Sequence, residues 1–221
     1  MSELEVKFLS TIRGNRIMES PISAETNENR FCAALEAINR ENAADPRQQL
    51  NDQGTFPVEA LYSERMTAWV RRLSQHPTVE LLLAARAMHI CRWMIPRDQY
   101  PKDRRGYRRW RTELQAFHAR KAGDILREVG YAAEVIGRVS DLIMKTNFPR
   151  DPESQTLEDA TTLIFLEYQF ADLSRNTEEN KMIRVLQKTW AKMSPRAHDY
   201  ALNLNLGTAE QALIHKALET T

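Results

Sequence analysis

The stretch Leu81–Lys121 reads LLLAARAMHICRWMIPRDQYPKDRRGYRRWRTELQAFHARK. Its first part is apolar almost all round, with no charge but Arg86 before Arg92, which is how a central helix of a bundle reads. Thr78 can cap that helix, predicting a span from Val79 to about Trp93. Pro96 and Pro101 then break the chain. A second helix is predicted from about Arg104 to Glu128, with Trp110, Leu114, Phe117 and Ile125 turned inward and Gly130 ending it. Two helices around a proline-broken loop therefore fix an α-helical frame, and the Met94–Asp103 loop becomes a rim or lid facing whatever lies between them.

Working outward, the same 3.6-residue rhythm recurs on both sides. Phe31, Leu35 and Ile38 mark a helix near Asn29–Asn42. Leu61, Met66, Trp69, Val70 and Leu73 mark another, opened by Pro57 and stopped at His76-Pro77. Val135, Ile136, Val139, Leu142 and Ile143 give the next. Thr156 with Asp159 reads as a helix start carried on by Leu163, Leu166, Phe170 and Leu173. Thr177, Ser194-Pro195 and Thr208 open three more. AADPRQQLNDQGTFP, between the first two helices, reads as a long loop punctuated by Pro46, Gly54 and Pro57. No strand pair or βαβ pattern is visible. The expectation is an all-α fold: an extension over residues 1–28, then one helical domain of eight or nine helices over residues 29–221.

Composition narrows the function classes. The chain has 221 residues, with 31 Lys and Arg against 30 Asp and Glu. That balance argues against coating nucleic acid by bulk charge but leaves room for a local basic patch. The two cysteines, Cys32 and Cys91, build neither a disulfide framework nor a zinc knuckle. No apolar run approaches the roughly 20 residues of a membrane span, and the N-terminus lacks the apolar core of a secretory signal. A cytoplasmic protein is expected.

Two groups of residues carry chemistry. His89 and His118 sit on the two helices of the opening stretch. Imidazole with carboxylate suits a hydrolytic metal site, although a lone histidine on an apolar helix is as well explained as a packed core residue. Glu158, Asp159 and Glu167 supply carboxylates, but no HExxH or ExxH pair exists. The second group is the basic run from Arg92 to Lys121. Arg92, Arg97, Lys102, Arg104, Arg105, Arg108, Arg109 and Arg111 are interleaved with Tyr100, Tyr107 and Trp110. Arginine forks beside aromatic planes suit phosphate, nucleotide or RNA, and a solvated helix face is the plain alternative. Cys91 lies two residues from His89, so on a helix the two point apart and make no dyad.

RMTAW (65–69), the run 84–119, GYAAEVIGRV (130–139), QTLEDATTLIFLE (155–167) and KTWAKMS (188–194) together resemble one family, domain of unknown function 4202. The resemblance covers about Arg30 to Leu206. Members often carry the name glutamyl-tRNA synthetase. MHICRW and Lys192-Met193-Ser194 faintly echo synthetase signatures, but those motifs work on a parallel sheet that this chain has no strands to build.

The helix order is also similar to HD-type metal phosphohydrolases. That similarity implies His89 as the histidine of the metal pair and His118 as a later histidine. Ile90 stands where the aspartate of the pair belongs, and Glu64 stands where an earlier histidine belongs. The implied site is therefore non-standard. The late carboxylate is Asp159 or Asp172; either Glu64, His89, His118 and Asp159 hold a divalent ion (Mn, Zn or Mg), with His89, His118 and Asp159 catalytic, or the fold has lost its metal. Arg92, Arg97, Lys102, Arg105, Tyr107 and Trp110 would bind the substrate, a phosphorylated small molecule or nucleotide. The alternatives are an RNA- or nucleotide-binding module using the Arg92–Lys121 surface, and a scaffold that forms a homodimer.

Overall fold

The computed structural model describes residues 21–51 and 53–219. Among them are ten α-helices, two 3-10 turns and one hairpin. Helix α1 (Pro21–Ala43) starts eight residues before the boundary expected for the N-terminal extension, the rest of which lies outside the described residues. Its buried face, Phe31, Ala34 and Ile38, is the one the periodicity marks.

The segment read as a long loop is in part an antiparallel hairpin, β1 (Gln48–Asn51) with β2 (Gly54–Pro57). Four residues a side are too few to show an alternating pattern, and Gly54 supplies the positive φ (133°) that the reversal requires. This hairpin is the whole β content of the described residues, so no parallel sheet supports a synthetase-type nucleotide site.

Helices α2 (Val58–Leu73), α3 (Val79–Ala87) and α4 (Arg104–Glu128) follow. Caps do as expected: Thr78 accepts the Leu81 amide, and Asp103 accepts the Gly106 amide at 2.6 Å. Helix α3 is shorter than its apolar run. It ends at Ala87, and the chain turns through Cys91 in the left-handed region (φ 53°) into a 3-10 turn, Arg92–Met94. In a continued helix the Ile90 carbonyl would receive the Met94 amide. Instead that amide goes to Cys91 O, and Ile90 O is taken by His118 Nδ1 at 2.7 Å. A side chain from α4 has replaced a helical hydrogen bond, which periodicity within one helix cannot reveal.

The later helices are α5 (Ala133–Met144), α6 (Pro152–Tyr168), α7 (Phe170–Arg175), α8 (Glu179–Trp190), α9 (Pro195–Leu202) and α10 (Thr208–Glu219). Asp151, accepting the Glu153 and Ser154 amides, starts α6 four residues before the expected Thr156. Asp159 therefore lies two turns inside the helix. One buried cluster runs from Phe31 to Ala217 and contains Leu81, Leu82 and Leu83 of α3, with Val79 packed against it. Between α3 and α4 the chain comes unusually close to itself: a Cβ built on Gly106 would lie 2.2 Å from Pro101 O. No helix among the described residues is long and apolar enough to cross a membrane.

Candidate functional site

A cavity of about 570 Å³ opens between the hairpin base, the start of α2, the turn after α3, and helices α4, α6 and α8. One wall is charged: Arg47, Glu59, His89, Arg92 and Arg111. The facing wall is hydroxyl and apolar, with Thr161, Thr162, Phe165, Leu173, Val185 and Thr189. The lining is as much polar as apolar, so the hollow is more strongly polar than the usual small-molecule pocket.

The charged wall is built from the hairpin inward. Asp45, 2% exposed, accepts the Glu59 amide at 3.1 Å and so caps α2. Arg47 reaches Asp45 (2.9 and 2.8 Å) and Glu59 Oε1 (2.6 Å), clamping two buried carboxylates. Arg47 and the backbone hold Asp45 below its ordinary range against the opposing pull of burial. At Glu59 burial wins and its pKa is raised. Glu59 Oε2 is buried and has no hydrogen-bond partner among the described residues.

His89 stacks on Tyr62, ring centroids 3.9 Å apart, and its Nδ1 lies 3.7 Å from Glu59 Oε2. Arg92 Nη1 lies 3.1 Å from Nε2 and 3.4 Å from Nδ1, and a guanidinium can only donate, so it favours a neutral ring that turns an acceptor nitrogen toward it. Burial, then Arg92 and His118, push the His89 pKa down. The ring keeps 20% of its surface on the cavity, so its desolvation is partial. At neutral pH the imidazole is neutral, and Glu59 lies beside it without forming an ion pair. Arg92 itself lies 5.2 Å from the Trp110 ring, which holds the guanidinium in place.

His118 is 2% exposed. Burial lowers its pKa to about 4, with Arg92 and Arg111 acting in the same direction. His89 and His118 approach to 5.8 Å between ring centroids, so the expected pairing of these two residues exists.

The other two expected ligands are differently placed. Glu64 is exposed on α2. Asp159 is buried but committed, accepting the Ser194 amide and Gln155 Nε2, both at 2.9 Å. That pins α6 to the start of α9. Among the described residues no three His, Cys, Asp or Glu side chains are arranged to hold a metal ion. The surroundings of the histidine pair are also cationic, with Arg92, Arg111 and Lys145 lining the same space. The donor set does not fit a divalent ion.

The expected substrate residues divide as well. Arg92 and Tyr107 line the cavity. Arg97 instead donates to the carbonyls of Tyr100 (2.9 Å) and Pro101 (2.7 Å), bracing the loop, and Trp110 Nε1 donates to Ile95 O. Lys102 and Arg105 are exposed and do not line the cavity. Arg47, Glu59, Tyr62 and Thr162 belong to the site without any sequence signal that singles them out. Arg111 was visible in the basic run, and its spacing to His118 of seven residues, two helical turns, places both on one face of α4.

The chain belongs to the family described as "Domain of unknown function (DUF4202)", whose model matches residues 32–214. Neither a curated protein nor a solved structure matches the chain.

Proposed function

We propose that this protein binds a phosphorylated small molecule or nucleotide in the 570 Å³ cavity and hydrolyses it by acid–base chemistry of its own side chains. One observation carries the reading: Arg92 and Arg111 face the same hollow as the neutral His89. Guanidinium forks match phosphate oxygens, and the hydroxyl and apolar wall suits the organic body of the ligand. The Tyr62 ring stacks on His89 and holds its plane, with the Glu59 carboxyl beside Nδ1. The similarity to HD-type phosphohydrolases rests here on the two histidines alone.

The test is binding by calorimetry to a panel of inorganic phosphate, pyrophosphate, AMP and ADP. The expected result is selective binding of one or more of these, weakened at least tenfold by Arg92→Ala and by Arg111→Ala. Each tenfold loss corresponds to about 1.4 kcal/mol. No binding by the parent protein, or undiminished binding by the double variant, overturns the reading.

A second reading has its own support. Arg104, Arg105 and Arg108 are exposed on the first turns of α4 with no ion pair among the described residues. They are free to meet RNA phosphates, and affinity would then fall steeply with salt. Retained RNA binding in the Arg104→Ala, Arg105→Ala, Arg108→Ala variant ends this reading. The expected homodimer has only scattered exposed apolar residues to draw on, such as Leu50, Met94 and Leu202.

A further inference from the structure

Behind His89 lies a second, smaller space of about 30 Å³. It shares His89, Arg92, Arg111 and Thr161 with the large cavity and is closed at the back by His118, Gln115 and Lys145. A water needs roughly 10–15 Å³ of such space and two to four polar partners. The compartment therefore takes one or two waters and is too small for a phosphate group.

His118 determines what the compartment holds. Its Nδ1 lies 2.7 Å from the Ile90 carbonyl oxygen, which can only accept, so Nδ1 carries the ring proton. The neutral ring then has a bare lone pair on Nε2. That atom is buried and has no hydrogen-bond partner among the described residues. Buried polar atoms left unsatisfied in a folded protein call for a water or a ligand. A cation is disfavoured there because Arg92, Arg111 and Lys145 surround the space, and Glu158 offsets only the last of these. A water donating to Nε2 satisfies the nitrogen. The Thr161 hydroxyl, which donates to Leu157 O at 2.7 Å, lines the same space and has an oxygen that can accept from the same water.

We propose that this compartment holds the attacking water of a phosphoanhydride hydrolysis, with His118 Nε2 as its general base. The inference rests on the phosphate reading of the large cavity. A phosphoryl group held by Arg92 and Arg111 sits at the boundary of the two spaces, since both arginines line both. The water oxygen bonds to phosphorus while its proton passes to His118 Nε2. The bond from phosphorus to the bridging oxygen breaks, and its electron pair leaves with the departing phosphate. A phosphate leaving group needs no proton from the enzyme. That suits a site whose two imidazoles are both neutral and whose arginines stabilise a departing anion without donating a proton. The substrate class is therefore a nucleoside diphosphate or another anhydride in preference to a simple phosphomonoester.

The experiment measures phosphate release from ADP and from pyrophosphate by the full chain in excess chelator, alongside calorimetric binding of the same two compounds. His118→Asn keeps a donor near the Nδ1 position for Ile90 O and removes the Nε2 acceptor. His118→Gln reaches the Nε2 position and loses the donor. The expected result is that His118→Asn retains the melting temperature and binding but loses about 100-fold or more in kcat with KM little changed. The expected loss of His118→Gln is mainly in stability. Three outcomes overturn the inference while leaving the binding cavity standing: tight binding without phosphate release, turnover that stops in chelator, or turnover undiminished in His118→Asn. Absence of binding removes the underlying reading instead.

Discussion

His118 Nδ1 donates to the carbonyl oxygen of Ile90 at 2.7 Å, and the Ile90 side chain is fully buried. One residue thus does two structural jobs. Its carbonyl, beyond the end of α3, goes to a side chain of another helix, and its own side chain belongs to the buried core cluster. The position that a metal pair would give to aspartate is here an apolar core position.

Ile90→Asp is accordingly expected to destroy stability without creating a metal site. A carboxylate there has no partner in an apolar pocket, at a cost of about 4 kcal/mol or more. Ile90→Val, which removes one methylene, is expected to cost about 1 kcal/mol. Denaturant midpoints of the two variants, with metal analysis of any folded Ile90→Asp, check this. Near-parent stability with stoichiometric metal in Ile90→Asp would refute it.

Stability is expected to fall on mild acidification. His118 titrates near 6.5 when unfolded and near 4 when folded. Between those values the unfolded chain takes up a proton that the folded chain does not, so stability rises with pH across that window and is lost going down. Full loss amounts to about 3 kcal/mol at 1.36 kcal/mol per unit. His89, also lowered, adds in the same direction. Glu59, raised, opposes it, gaining stability as it protonates. Urea midpoints measured from pH 7 to pH 4 in the parent and in His118→Asn separate the contributions: the slope should be smaller in the variant.

Asp159 serves as a fastener between helices. Asp159→Ala leaves the Ser194 amide without its acceptor, while Gln155 keeps only the Lys192 carbonyl, and is expected to cost about 2 kcal/mol. Asp159→Asn keeps an oxygen acceptor and should cost less. Ligand binding in the cavity should survive both changes, a result that thermal unfolding and calorimetry on the same samples would give. Loss of ligand affinity without loss of stability would return Asp159 to the functional site.

Cys91 is expected to be inert in the native state. It is 1% exposed, donates to Glu41 Oε2 at 3.3 Å, and its thiol is pushed up to about 12 by burial and then by Glu41. A thiol-specific chromogenic reagent should titrate at most Cys32 in native protein and both cysteines in denaturant. Rapid modification of Cys91 in the folded state would show that its surroundings open.

Helix identity was legible wherever an apolar stripe met a cap, as at Thr78, Ser194 and Gly130. The hairpin was not, because Gln48–Asn51 is too short and polar to signal a strand. The histidine pair was legible because α3 and α4 are consecutive, His89 following the apolar run and His118 standing midway along the basic helix. Glu59 and Arg47 were hidden for a different reason. Their role comes from Asp45, which caps α2 and draws Arg47 across the hairpin base, a three-residue arrangement that no spacing along one helix encodes. Asp159 misled because an acidic residue after a threonine resembles a first helical turn, whereas Asp151 had already begun the helix.

The close pass at Gly106 has a consequence for access. With 2.2 Å between the place of a Cβ and the Pro101 carbonyl oxygen, even a methyl group would force the Pro96–Pro101 loop away from α4. That loop is braced by Arg97, and the carbonyl of Ile95, just before it, anchors Trp110, against which Arg92 rests. The aim of the cavity's central guanidinium is thus set three contacts away, by a hydrogen atom standing where every other amino acid carries carbon.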